Sequence, residues 1–363
     1  MVGTEQGARA RRARTAAALL TATGLFAAGC TGHGTPGVPT DDGRGQFRTA
    51  QPDTSEPNSS EASGKARHPS VLAVKIDNVR AARPQTGLDS ADVVYAEQVE
   101  GGLSRLMAVY ATKLPKAVGP VRSARESDLE LLRQFDDPTL AFSGAQGKLM
   151  PLINGAPLTA RTPEKAADAY FRGTDKVLPH NLYLRPKRLV PTTPGADALT
   201  TGFRYGPAPA GGTRDTSETV RYPAARFTFT WSPGKKRWLV SMDGAPDVTA
   251  DGKRLAPATV VVQYVKVRKS AFHDFLGNNS PYTVTVGSGK AKVLRDGRAF
   301  DVNWKRAKAA DGTEFTTKDG SPANPQQIVV VRFGVDVEEG QSVIDDITKG
   351  IKVSTGGGSG QDV

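Results

Sequence analysis

The sequence predicts an α+β protein in which a mixed-sheet N-terminal domain of α/β type is followed by a mainly β C-terminal domain. Three observations predict it. Between residues 68 and 200, short apolar strands with hairpin signals alternate with helical stretches, a mixture that favours a mixed sheet over a doubly wound parallel one. From 223 to 353 the texture becomes alternating apolar and polar residues punctuated by glycine turns. Between the two, residues 191–219 are rich in Pro, Gly and Thr, which sets a linker at 201–222.

The elements follow in order. Residues 71–76 of "PSVLAVKIDN" read as a buried strand ending at Asp77-Asn78. "ADVVYAEQVE" and "LSRLMAVYAT" read as two more, joined through Gly101-Gly102, a two-residue hairpin signal. That register pairs Gln98 with Arg105 and sets Glu100, Gln98 and Arg105 on one face. Ser123 with Glu126 fits a capping box and predicts a helix over about 124–135, its apolar side made by Leu129, Leu131, Leu132 and Phe135. "PTLAFSGAQ" reads as a strand, "GKLMPLINGA" as a short helix interrupted by Pro151, and 166–172 as a second helical piece. In the C-terminal half "ARFTFTWSPGKKRWLVSMDG" is a hairpin about Ser232-Pro233-Gly234, and "ATVVVQYVKV" is a central strand. "YTVTVGSGKAKVLRDGRAFDVNWKR" holds strand pairs turned at Gly-Ser-Gly and at Asp-Gly, and "QQIVVVRFGV" is a further strand. No internal repeat is visible.

The ends carry a different signal. "ARARRARTAAALLTATGLFAAGC" has a basic start, an apolar stretch from Thr15 to Phe26, and small residues before Cys30, the chain's only cysteine. This is an export signal over 1–30 with the layout of a bacterial lipoprotein, whose cysteine is lipidated, although Ala27 stands where a leucine is usual. An ordinary cleaved signal peptide is the alternative. Arg11-Arg12 lacks the continuation of a twin-arginine signal. Residues 31–67 have almost nothing to bury and read as a disordered tether, as does the tail 354–363. No later apolar run approaches the roughly 20 residues that span a bilayer. The expectation is a protein anchored to the cell membrane through Cys30 and facing out of the cytoplasm, away from ATP, NAD and the chromosome.

Bulk numbers bound the chemistry. With one cysteine in 363 residues there are no internal disulfides and no thiolate metal site. The formal charge of +11 would suit nucleic acid, but four arginines lie in the first fourteen residues and the other cations are scattered, so no nucleic acid is expected. "VGSGK" lacks the first glycine and the hydroxyl residue of a phosphate loop and reads as a turn. Gly-x-Ser-x-Gly is absent near Ser123 and Ser143. Trp231, Trp238 and Trp304 could line a groove, but sheet packing is the simpler reading. No pattern calls for a cofactor, and no metal is expected because no loop spacing fits one and arginines surround the carboxylates.

Polar residues collect instead at strand ends and loops of the N-terminal domain. Arg105, Arg122 and Arg125 are planar, permanently charged donors suited to a carboxylate or phosphate. With Asn78, Arg83, Gln85 and Ser123 they form the candidate ligand-binding set. The alternative is internal: the same arginines could pair with Asp77, Glu97 and Glu100. Asp77, Glu100 and His180 are the candidate catalytic residues, the carboxylates as bases and the histidine as a group that titrates near neutrality.

"VKIDNVRAARPQTGLDSADVVYAEQVEGGLSRLMAVY", "VGPVRSARESDLELL", "GSGKAKVLRDGRAFDVNW" and "NPQQIVVV" together resemble the YerB-like lipoprotein family of bacteria, over roughly residues 70 to 335. The resemblance implies a two-domain, envelope-anchored protein and supplies no catalytic residues, the family being one of unknown function. Three functions stay open: a binding module for an anionic or carboxylate-bearing envelope ligand, a hydrolase or transferase acting on envelope polymer, and a protein-interaction scaffold with a partner of unknown kind. Whether the chain is an enzyme is left open.

Overall fold

The computed structural model describes residues 70–336, apart from 204, 205, 275, 321 and 324–327, with the backbone alone for 328–336. The expected signal at 1–30, the tether at 31–67 and the tail at 354–363 lie outside the described residues. The described residues all fall in one compact unit.

The N-terminal domain supplies strands β1 (Leu72–Asp77), β2 (Val93–Gln98), β3 (Ser104–Tyr110), β4 (Thr139–Ala141), β5 (Thr159–Arg161), β6 (Tyr170–Arg172) and β7 (Leu182–Leu184), and helices α1 (Glu126–Leu132), α2 (Met150–Gly155) and α3 (Pro186–Leu189). The rest of the chain supplies β8 (Thr213–Arg214), β9 (Ser217–Tyr222), β10 (Ala225–Ser232), β11 (Arg237–Met242), β12 (Ala245–Pro246), β13 (Thr259–His273), β14 (Asn279–Thr283), β15 (Gly287–Arg295), β16 (Arg298–Arg306), β17 (Glu314–Thr316) and β18 (Ile328–Asp336). One mixed sheet runs β17-β16-β15-β13-β18-β2-β3-β1-β4-β5, with β14 on β13 and β8 on β16. Strand β18 lies between β13 and β2, parallel to both, and so joins the two domains through backbone hydrogen bonds. A four-stranded antiparallel sheet, β12-β11-β10-β9, and the pair β6-β7 complete the strands.

The N-terminal part of the large sheet is covered on both faces. Even-numbered side chains such as Leu72, Val74, Val94 and Leu106 pack with Phe227, Phe229 and Trp238 of the four-stranded sheet. Odd-numbered ones such as Ala73, Tyr95, Met107 and Val109 pack with Leu131 and Leu132 of α1 and with Phe142. Because side chains alternate along a strand, Lys75 and Asp77 continue the odd face of β1 beyond its apolar rows. Arg105 lies opposite Asp77 on one side and Glu97 on the other. The apolar layer therefore ends in a polar row.

Several expected elements form differently. The β2–β3 connection is longer than a two-residue turn: a 3-10 turn at Glu100–Gly102 closes on the Val99 N–H donating to Leu103 O at 2.8 Å. Gly101 and Gly102 both have positive φ (67° and 68°), which glycine adopts freely. The register shifts by one, so Gln98 pairs with Ser104 and Arg105 with Glu97. Helix α1 begins at Glu126, two residues late, because Asp128 Oδ2 accepts from the Arg125 N–H at 2.7 Å and makes Arg125, not Ser123, the N-cap. Glu126, the expected box partner, accepts instead from the Ser270 hydroxyl. Pro151 lies in the first turn of α2, where its missing N–H costs nothing, rather than interrupting it. Residues 167–169 make only a 3-10 turn before β6. The expected linker contains β8 and β9. Gly287-Ser288-Gly289 lies inside β15, with β14 and β15 pairing successive stretches of β13. A Cβ at Gly289 would meet Trp304 Nε1 at 2.6 Å, so this glycine makes room for the indole.

Candidate functional site

Beyond the polar row a cavity of about 820 Å³ opens. Asp77, Glu100, Arg105, Arg122, Ser123, Arg125 and His180 all line it, although they come from two strand ends and three connecting segments. A fourth wall comes from the C-terminal domain: β13 runs on past its pairing with β18 and carries Phe272, His273 and Asp274 to the rim, and Ser280 of β14 follows.

Backbone bonds explain how the loops hold their places. Residues 120–122 run beside β1, with the Asp77 N–H donating to Pro120 O at 2.9 Å and the Arg122 N–H to Lys75 O at 2.8 Å. The Ser143 N–H donates to Arg122 O at 3.1 Å and the Ala124 N–H to Gly144 O at 3.0 Å, which ties the arginine segment to the chain after β4.

The three arginines have different surroundings. Arg125 is matched: its Nε and Nη2 donate to Glu100 Oε1 and Oε2 at 2.6 and 2.7 Å, a two-pronged pair. Ser280 also donates to Glu100. Burial alone would raise the Glu100 pKa, but the Arg125 hydrogen bonds and charge, with Ser280, hold it below the ordinary carboxylate value. Arg122 shares an acid, with Nε 3.2 Å from Asp77 Oδ2. His180 Nδ1 lies 2.8 Å from the same oxygen. A carboxylate can only accept, so Nδ1 carries the proton towards Asp77. Arg105 has no ion pair within 4.0 Å among the described residues, and its Nη1 donates to Ser123 O at 3.1 Å. Burial and the neighbouring Arg125 charge bring its pKa down to about 10. Three guanidinium groups thus share the lining with four carboxylates, of which Glu126 accepts from the Ser270 hydroxyl and Asp274 from the Leu276 and Asn278 N–H groups.

The remaining expected residues do not line the cavity. Asn78 Nδ2 donates to Ser104 Oγ at 2.9 Å, and Asn78 Oδ1 accepts from Gln85 Nε2 at 2.8 Å and Arg83 Nε at 3.3 Å. Arg83 Nη1 completes this network 2.8 Å from Asp243 Oδ2, beside the four-stranded sheet. These three side chains brace the loop after β1. Cys30 lies outside the described residues. Of the tryptophans, Trp238 and Trp304 are buried and Trp231 half-buried, and none reaches the cavity.

One participant escaped sequence reasoning although it left a trace. Lys75 is 1% exposed, with Nζ 2.6 Å from Asp128 Oδ1 and 3.9 Å from Glu97 Oε2. A lysine inside the apolar run "VLAVKID" needs a buried acid, and Asp128 supplies it from the first turn of α1. The C-terminal wall left no local trace, since only the tertiary fold brings 272–280 to the arginines. Among the described residues no group of three or more His, Cys, Asp or Glu could hold a metal ion, and no helix is long and apolar enough to cross a membrane.

Comparison with known proteins places the fold. A relative described as "Putative lipoprotein YerB" from Bacillus subtilis (strain 168) is 25% identical over 296 residues, covering 76% of this chain and 85% of its own. The crystal structure of the YerB protein from Bacillus subtilis superposes with a TM-score of 0.59 at 20% identity, over 74% of this chain and 92% of that one. Residues 54–198 match the model for the N-terminal domain of a protein of unknown function (DUF3048), and residues 218–327 match the model for its C-terminal domain. With both models matched in order along one chain, this protein belongs to the two-domain DUF3048 family.

Proposed function

We propose that the chain is a lipoprotein anchored through Cys30 to the cell membrane outside the cytoplasm, and that its N-terminal domain binds an anionic or carboxylate-bearing envelope ligand in the arginine-lined cavity. The relative described as a lipoprotein supports the anchor. Arg105 carries the binding reading: it is a guanidinium on a cavity wall with no carboxylate partner among the described residues, beside two arginines already engaged. An anion there would gain charge-assisted hydrogen bonds and relieve the repulsion from Arg125. Arg122, Ser123 and Arg125 complete the surround.

Two measurements test this. Replacing Cys30 with Ala should move the protein from the membrane to the soluble fraction. Envelope anions should raise the melting temperature of the wild type and leave Arg105→Gln unmoved. Equal stabilisation of both proteins would put any binding site elsewhere.

The Asp77–His180 contact favours a second reading, an envelope hydrolase or transferase. Both oxygens of Glu100 are taken by Arg125, which removes it as a base. With Asp77 holding Nδ1, His180 is left with Nε2 for proton transfer, and Asp77 becomes a positioning residue. In that case His180→Gln should abolish turnover of an envelope polymer while anion binding survives. Absence of turnover by the wild type would retire this reading and leave the first intact.

A further inference from the structure

The cavity that holds the arginines is not uniformly polar. Leu103, Leu149 and Phe272 share its lining. Apolar side chains left in solvent lie in or next to its lining segments on three separate loops. Leu103, in the turn after Gly102, lines the cavity and is 36% exposed. Leu178 precedes the lining residue Pro179 and is 68% exposed, and Leu276 stands two residues after the lining residue Asp274 and is 71% exposed. A single exposed leucine needs no explanation, but one in the lining and two within two residues of it form a pattern a wholly hydrophilic ligand would not use.

We infer that the ligand is an anionic membrane lipid, taken headgroup first, with its phosphate against Arg105 and its acyl chain passing Leu103 and Phe272 towards Leu178 and Leu276. Arg105 selects the head: among the described residues it is the lining guanidinium with no carboxylate within 4.0 Å, while Asp77 and Glu100 are held by Arg122, His180, Arg125 and Ser280, and Glu126 and Asp274 accept from Ser270 and from backbone N–H groups. Apolar lining beside that charge selects an amphiphile over a free phosphate or a polar saccharide. The inference rests on the anion-binding reading above and narrows it.

The test uses residues 30–363 with Cys30→Ser, so that the compact unit is whole and no acyl chain is attached. Co-sedimentation with phosphatidylcholine vesicles, with and without phosphatidylglycerol, is compared with binding of glycerol 3-phosphate as a soluble head. The wild type should sediment only with the phosphatidylglycerol vesicles. Arg105→Gln should weaken both vesicle and glycerol phosphate binding about tenfold or more, the scale of one lost charge-assisted contact. Lys235→Gln, an exposed charge far along the sequence, should change neither. The triple variant Leu103→Ser, Leu178→Ser, Leu276→Ser should lose vesicle binding and keep glycerol phosphate. Glycerol phosphate bound through Arg105 with no vesicle binding would overturn the lipid and spare the anion site. Vesicle binding unaffected by Arg105→Gln would mean unspecific attraction to a basic surface and overturn the lipid as well. Binding of neither probe would overturn both readings.

Discussion

Glu100 shows how much of the site is scaffold. It sits in the turn between β2 and β3, 7% exposed at its side chain, and its two oxygens hold Arg125 at the N-cap of α1. Removing one member of such a pair leaves the other charge without compensation, so Glu100→Gln should cost about 2–3 kcal/mol in denaturant unfolding, somewhat less than a fully buried pair. The pH dependence has a definite sign. The folded pKa lies below the ordinary 4.5, so the contribution is present above that value and is lost as pH falls through the lower folded one. The wild type should therefore lose stability on acidification below about pH 4.5, and Glu100→Gln should lose less over the same range. Parallel pH curves for the two proteins would show that the pair contributes nothing. Residue types at this site were legible: a run of arginines at a helix start next to acids on a hairpin announces either a network or an anion site. The division of partners was not, because it depends on which acid each guanidinium can reach in space. Two arginines found acids and the third did not.

At the scale of elements, the hairpin β2–β3 sets the geometry. Its loop length decides whether Arg105 faces Gln98 or Glu97, and a one-residue slip moves a side chain to the opposite face. Local apolar alternation located both strands to within two residues. The glycines marked the turn but did not reveal that Glu100 belongs to it. Gly102 also faces the four-stranded sheet: the Ala224 N–H donates to Gly102 O at 2.9 Å, and a Cβ at 102 would fall 2.5 Å from Pro223 Cβ. With φ at 68° as well, Gly102→Ala should cost about 1–3 kcal/mol. It should also weaken anion binding, because relief of the clash must shift the turn that carries Glu100 next to Arg105. Gly101 has a similar φ but open space, so Gly101→Ala should lose stability to strain alone and keep binding. Equal binding losses at the two glycines would mean the clash with Pro223 is not what positions the turn. The arm at the end of β13 is the opposite case. Its strand pattern was legible, yet Ser270 and Ser280 reach Glu126 and Glu100 across more than a hundred residues, and no local pattern encodes that.

For the whole molecule the decisive element is β18. Two textures along the chain were visible as two domains because hydrophobic periodicity is a local property. "QQIVVVRFGV" was visible as a strand for the same reason. Its place was not, since pairing partners 69 and 235 residues earlier in the chain leave no mark on its own composition. Between β13 and β2 it completes backbone hydrogen bonds for both domains at once, and Tyr222 adds a further tie by donating to Ala96 O at 3.0 Å. The Arg83–Asp243 pair is another, 2.8 Å across the same junction. Domains sharing a central strand cannot unfold independently without exposing two unpaired strand edges, a costly and aggregation-prone state. Thermal unfolding should therefore show one transition, coincident by far-UV circular dichroism and by the fluorescence of the three tryptophans, all of which lie after residue 230. Ending the chain at residue 327 should remove that strand, lower the midpoint for both domains together and promote association through the edges of β2 and β13. Two separate transitions in the full chain, or a truncated N-terminal domain that keeps its midpoint, would show that each domain stands on its own core.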